Sequence, residues 1–251
     1  MSGYKWNWQV FWEEVPAGGE QYLEWIWQGL GWTLVISLGA WLIALVLGTV
    51  FGVMRTLPSS FFTRLLIRSA DNYVEVFRNI PLIVQMFLWF FVLPELLPRE
   101  VGQWLKQDLP LPEVNTAIVS LGFYTSARIA EQVKAGILAI PRDQTRAGLA
   151  MGLSLAQVYG YVLLPQAFRL ILPPLTSEAM NVVKNSSVSL TIGVLELTAQ
   201  ARQINEYTFN GFEVFTVTTV LYVIVGLIVN RLIALIEAVT KVPGMGSYGR
   251  V

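Results

Sequence analysis

Arg128 and Glu131 are the only charged residues in 114–133, a stretch otherwise made of apolar, small and uncharged polar side chains. A guanidinium is always charged and offers its donors in a planar fork that matches a carboxylate. Arg128 is therefore a candidate ligand for an anionic solute. Inside hydrocarbon it would cost on the order of 2.5–3.5 kcal/mol by insertion scales, so it needs a reason to be there. One alternative is an anchor that snorkels from the helix end, paired with Glu131 one turn on. Gln85, Ser126, Ser187 and Thr191 also interrupt apolar segments. They either line a polar path or hydrogen-bond between helices. Glu196 stands either at the outer mouth of such a path or in water, and Lys184 reads as an inner-end anchor.

Covalent chemistry has little to work with. The chain has no histidine and no cysteine, which removes His-dependent triads, thiolates, disulfides and the commonest metal ligands. An intramembrane enzyme would want an acid pair or a Ser–Lys dyad, and only Lys184, Ser186 and Ser187 come near one. No GxxxxGK[ST] occurs, so the chain carries no P-loop of its own. No enzyme activity, metal or cofactor is expected. Zero net charge gives no case for nucleic acid.

The elements that would position these residues are membrane-grade. Of 251 residues, 54% are apolar and only 14% charged, with a mean hydropathy of +0.55. That balance is unusual for a soluble domain. The opening MSGYKWNWQVFWEE mixes acids and tryptophans, so no cleaved leader is expected. A span needs about 20 mostly apolar residues. The sequence predicts an all-α, multi-pass membrane protein with five spans, at 30–54, 80–97, 114–133, 182–201 and 214–236. No soluble domain can be cut from it. The tail from Pro243 is glycine-rich and reads as frayed.

Arginine and lysine choose the sides. With the N-terminus outside, the inner segments hold Arg55, Arg64, Arg68, Arg78, Arg128, Lys134, Arg142, Arg146, Arg169, Lys184, Arg231, Lys241 and Arg250. That is 13 of the 17 basic residues; Lys5, Arg99, Lys106 and Arg202 stay outside. The prediction is N-out, C-in. Tryptophans 6, 8, 12, 25, 27 and 104 flank spans on the outer side, as an interfacial belt does.

Residues 135–174 form an inner loop too rich in helix formers to be plain linker. Pro141-Arg142-Asp143 reads as a helix start, and Ser154 can cap a short helix from Leu155. Pro165 and Pro173-Pro174 punctuate the return to the membrane. Small residues Ala147, Gly148, Ala150 and Gly152 would let a partner's backbone come close. From composition alone, a helix lying on the bilayer surface is an equal reading.

The segment 144–167, QTRAGLAMGLSLAQVYGYVLLPQA, resembles the EAA loop of importer-type ABC permeases. The likeness extends over nearly the whole chain. YVEVFRNIPLIVQ at 73–85, AEQVKAGILAIPRDQ at 130–144, KNSSVS at 184–189 and IGVLEL at 192–197 are similar to signatures of the polar amino acid permeases. Within that family the glutamate/aspartate type of Gram-negative bacteria is most similar. The resemblance implies a type I importer permease fold in the bacterial inner membrane, with a cytosolic coupling helix. It also implies an ABC ATPase dimer that binds the ATP, a second permease subunit, identical or homologous, and a periplasmic amino-acid-binding protein. It makes Arg146, Ala147, Gly148, Gly152, Leu153 and Ala156 the coupling residues. Two departures stand out: Arg146 replaces the acid of the motif and Gly148 its second alanine, while Gly152 is kept. Arg128 stands where many relatives carry an aromatic residue. The expected function is ATP-driven import of polar amino acids, glutamate and aspartate first, by alternating access. Alternatives are a broader set (glutamine, asparagine or general L-amino acids), or a passive channel or secondary transporter, which would leave the loop unexplained.

Overall fold

The computed structural model describes residues 4–16 and 18–240, and within them every regular element is helical apart from one β-bridge between Glu14 and Gln21. The helices are α1 (Tyr22–Met54), α2 (Phe61–Asn79), α3 (Leu82–Phe87), α4 (Leu93–Leu96), α5 (Arg99–Gln103), α6 (Pro112–Leu138), α7 (Arg142–Ala150), α8 (Leu155–Gln157), α9 (Leu164–Asn185), α10 (Leu197–Thr208) and α11 (Gly211–Thr240). Three stretches are long and apolar enough to cross a membrane: Tyr22–Met54, Leu155–Ile192 and Gly211–Thr240. Phe61–Asn79 and Leu82–Leu96 pass together as a fourth, broken one. Lys241, Arg250 and the tail from Pro243 lie outside the described residues.

The residues group into two compact units, one built from 4–40, 81–121 and 181–227, the other from 41–80, 122–180 and 228–240. In the first, Val10, Phe11 and Val15 of the N-terminal segment pack with Tyr22 and Ile26 of α1, Leu197, Ala201 and Ile204 of α10, and Val214 of α11. Gly29 lets α1 approach the start of α10, since a Cβ there would lie 2.9 Å from the Leu197 Cα. Glu213 holds the N-terminal segment: its carboxylate accepts from the Tyr4 hydroxyl at 2.5 Å and the Asn7 amide at 2.6 Å.

Glu196 is fully buried in this unit, neither at a mouth nor in water. It caps α10, accepting from the Ala199 amide at 2.8 Å and the Tyr222 hydroxyl at 2.8 Å, with the Thr33 hydroxyl at 3.4 Å. A carboxylate at a helix N-terminus satisfies orphan amides and meets the positive end of the dipole. The signal was present in the sequence as an acid followed by LTAQARQI, a helix start.

The stretch 182–201 is not one helix. α9 ends at Asn185, a 3-10 segment runs over Ser186–Ile192, and Gly193 turns the chain at φ +94 before α10 begins. The cause is local. Ser186, Ser187, Ser189 and Thr191 each donate a hydroxyl to a carbonyl three residues back, at 2.6–2.7 Å. Such bonds compete with regular α-helix, and the tighter winding suits them. Pro165, Pro173 and Pro174 likewise fall inside α9 rather than ahead of it. Proline is tolerated in membrane helices where neighbouring groups re-satisfy the backbone.

The second unit has its core at Ala44, Ile129, Val133, Ile137, Val158, Tyr159, Leu163, Ala167 and Ile171. Here α1 meets α6 at two glycines one turn apart. A Cβ on Gly48 would sit 2.7 Å from Ile129 and 2.9 Å from the Ser126 carbonyl; one on Gly52 would sit 2.6 Å from Val133 and 2.9 Å from the Ala130 carbonyl. This is GxxxG packing, in which missing side chains let backbones touch. Gly52→Val should therefore overpack the seam, costing about 1–3 kcal/mol, or roughly 2–10 °C of apparent Tm in detergent. Gly31→Ala, in open space on the same helix, should leave Tm unchanged or raise it slightly. Equal Tm values for the two variants would remove the seam as a packing determinant.

Candidate functional site

Two turns beyond Gly48, the end of α1 delivers Arg55 into a cluster of charges. Its Nε donates to Asp71 of α2 at 2.7 Å and its Nη2 to Glu131 of α6 at 3.1 Å. Arg78, at the end of α2, donates to the same Glu131 oxygen at 2.8 Å. The Arg55 side chain is only 8% exposed, so these pairs act in a less polar setting than surface pairs and are screened less. One carboxylate between two guanidinium groups ties three chain segments. A groove of about 400 Å³ opens beside them, lined by Arg55, Asp71, Val74, Glu75, Arg78 and Glu131.

Arg128 does not pair with Glu131. Its Nε donates to Glu178 of α9 at 3.0 Å, and its guanidinium carbon lies 5.9 Å from the centre of the Tyr124 ring. Glu131 already accepts from Arg55 and Arg78, and Arg128 is held by Glu178 of α9 instead. Glu178 is buried, with its second oxygen 3.4 Å from Gln132 Nε2. The Arg128 side chain is 44% exposed. It is gripped by Glu178 through Nε. Nη1 makes only a long contact of 3.5 Å with the Tyr124 hydroxyl.

The remaining polar candidates separate. Ser126 is buried and bonded, sharing a 2.6 Å hydrogen bond with the Tyr73 hydroxyl and donating to the Phe123 carbonyl at 2.7 Å. Tyr73 also stacks on Phe51 at 4.0 Å. Ser126 thus serves helix packing in the unit that holds Arg128 and Glu131. Gln85, buried on α3, Ser187 and Thr191 belong to the other unit. The hydroxyls of Ser187 and Thr191 are turned to their own backbone.

The loop after α6 is a compact structure with a clear sequence cause. α7 ends in a Schellman motif: Gly152 sits at φ +85, its amide donates to the Leu149 carbonyl, and the Leu153 amide reaches the Gly148 carbonyl at 3.1 Å. Only glycine adopts that left-handed position without cost. Ser154 then starts α8 with a reciprocal capping box, its hydroxyl taking the Gln157 amide and its own amide donating to the Gln157 side chain. Gly148 is buried, where a Cβ would lie 2.9 Å from Val158, while Gly152 has open space around it. Gly152 is thus needed for its backbone and Gly148 for an internal close approach. Arg146, Ala147, Leu149, Met151, Gly152 and Ala156 are exposed, and Leu153 is half-buried. Arg146 has a local partner, Asp143 at 3.4 Å, with both side chains in solvent. Behind the loop, the Tyr159 hydroxyl donates to the Thr56 carbonyl at 2.7 Å, fixing it to the turn after α1.

Sequence reasoning missed Arg55, Asp71, Arg78 and Glu178 as partners of Arg128 and Glu131. Glu178 had the same signal as Arg128, a charge within an apolar helix. Gly48 and Gly52 were visible as GTVFG.

Residues 44–242 match the family described as "Binding-protein-dependent transport system inner membrane component". The chain is 45% identical over 242 residues, 95% of its length and 96% of the relative's, to the glutamate/aspartate import permease protein GltJ of Escherichia coli (strain K12). It is 29% identical to the glutamine transport system permease protein GlnP of the same strain, over 94% of this chain and 98% of the relative. Among solved structures, an amino acid ABC transporter with histidines superposes with a TM-score of 0.71 at 29% identity, over 86% of this chain and 94% of that one. The inward-facing MetNI methionine ABC transporter shares the fold, with a TM-score of 0.73 at 24% identity, over 90% and 100% of the two chains.

Proposed function

Since the chain belongs to the binding-protein-dependent transport system inner membrane component family, we propose that it is the permease of an importer for acidic amino acids, glutamate and aspartate first. As a member of that family it is an inner-membrane transport subunit, and ATP hydrolysis belongs to a separate partner. The observation that carries the substrate reading is the 45% identity to a glutamate/aspartate import permease along almost the full length of both chains. The glutamine permease relative keeps a broader polar amino acid set as the second reading. We place the chain beside a second permease subunit, above two ATPase copies and below a periplasmic binding protein.

The topology we propose is five spans with the N-terminus outside. The chain passes between its two compact units five times, four of them within a continuous helix and once at Ile80–Pro81. Lys5, Arg99, Lys106 and Arg202 belong to one unit. Every described basic residue assigned to the inside belongs to the other, except Lys184. A chain without cysteine suits thiol mapping. Glu14→Cys is a better outer probe than Gly18 or Gly19, whose φ values of +78 and +85 suit no side chain. In intact spheroplasts a membrane-impermeant maleimide should label Glu14→Cys and reach Ser59→Cys only after lysis. The opposite pattern would invert the topology.

Coupling, on this reading, passes through the exposed loop of α7 and α8, which the ATPase grips as the chain alternates between outward and inward access. Gly152→Leu should damage it twice over, by straining a left-handed turn worth about 1–2 kcal/mol and by filling the open space a partner would enter. The expected result is a complex that inserts in the membrane but loses transport, with ATPase activity deaf to liganded binding protein. Normal uptake by Gly152→Leu would end the docking assignment.

Arg128 supplies the substrate contact in this mechanism. Buried Glu178 steadies the guanidinium through Nε, and the terminal nitrogens clasp a carboxylate. A solute shifts access only by binding one state better than the other. Losing one charge-assisted pair, about 1.5–3 kcal/mol, corresponds to roughly ten- to hundredfold weaker binding. Arg128→Gln should therefore depress glutamate uptake more than glutamine uptake, measured with a binding protein that delivers both. Equal losses would make Arg128 a structural anchor, and normal uptake of both would take it out of the path.

A further inference from the structure

The first half of α2 buries no residue against the described chain. Not one residue of 61–69 is buried, whereas Ala70 and Val74 further along the helix are. Yet the segment is well-formed helix. Ser60 closes it with a capping box, its hydroxyl taking the Thr63 amide and its amide donating to the Thr63 hydroxyl at 2.7 Å. The side chains it displays are large and apolar: Phe61 is 85% exposed, Phe62 83% and Leu65 71%, with Leu66 beside them. At 100° per residue these four fall on one face. Arg64 and Arg68, one turn apart and both exposed, border one edge of that face, beside Phe61. The buried residues Ala70 and Val74 point another way.

We propose that residues 61–69 form an interfacial anchor that engages anionic phospholipids of the inner leaflet. An apolar face bordered by arginines lets rings and leucines enter the acyl boundary while the guanidinium groups meet phosphate, and such binding grows with anionic lipid. Charge decides between membrane and protein as the occupant. An apolar protein groove would leave the two arginines at its edge without a counter-ion, whereas a lipid surface supplies both an apolar layer and phosphate at the required depth. The same rigid helix carries Asp71, which pairs with Arg55, and Arg78, which pairs with Glu131. Holding its first turns at the surface therefore fixes one side of the ion cluster. Transport should depend on anionic lipid through this helix, whichever amino acid is carried.

The test uses the assembled transporter in nanodiscs. Leu65→Cys, in a chain with no other thiol, carries an environment-sensitive fluorophore. Its emission should shift to the blue, and be quenched by acyl-chain quenchers, more strongly with one-third phosphatidylglycerol than with zwitterionic lipid alone. The Arg64→Gln, Arg68→Gln pair should abolish that difference, together with a several-fold stimulation of transport by anionic lipid. The Arg64→Lys, Arg68→Lys pair should retain both. Gel filtration of each complex verifies assembly. A probe that reads as water in both bilayers overturns the proposal. So does one shielded equally in both and untouched by lipid quenchers, which would mean that another protein chain covers the helix.

Discussion

Two helix backbones touch at Gly48 and Gly52, and much of the second unit follows from that contact. With no side chain between them, α1 and α6 lie close enough for the Ser126 and Ala130 carbonyls to face α1 directly. Arg55, three residues past Gly52, then reaches Glu131 without stretching. Phe51, between the two glycines, meets Tyr73, and Tyr73 bonds Ser126. In hydrocarbon no hydrophobic force drives helices together, so such packing and hydrogen bonds must hold them.

Charge is placed with the same economy. Arg55 and Arg128 each have carboxylates within the second unit: Arg55 with Asp71 and Glu131, Arg128 with Glu178. Breaking a buried pair leaves an uncompensated charge, which is far more costly than the pair is stabilising. In the first unit Glu196 is handled differently. It meets an amide and hydroxyls in place of a cation, and it sits at the positive end of a helix.

Much of this was legible in the residues. Apolar runs of span length gave the all-α membrane class, and the helix signals at Pro141 and Ser154 gave the helical loop of α7 and α8, because both rest on local rules. The long apolar helices α1 and α11 follow from hydropathy. The broken fourth segment did not, because averaging over 182–201 hides a serine run whose hydroxyls prefer the carbonyls three residues back. Pairing of charges was beyond reach for a different reason. Spacing says which residues share a helix face, and Arg128–Glu131 is a sound local guess. The partner that won, Glu178, is 50 residues away. Gly148 and Gly152 looked alike as small residues of one loop, and only their surroundings separate an internal contact from a backbone need.

The serine-rich stretch between α9 and α10 has a consequence in length. Seven residues wound as 3-10 helix, Ser186–Ile192, run about 14 Å at ~2.0 Å per residue. The same residues as α-helix would run about 10.5 Å at ~1.5 Å per residue. Rewinding alone shortens the connection by roughly 3–4 Å, about the width of one side chain. The hydroxyls can follow, because serine and threonine in α-helices also bond carbonyls three or four residues back. The stretch of chain leading from α9 into the Glu196 cap thus differs by about one side chain's width between its present winding and an α-helix of the same residues.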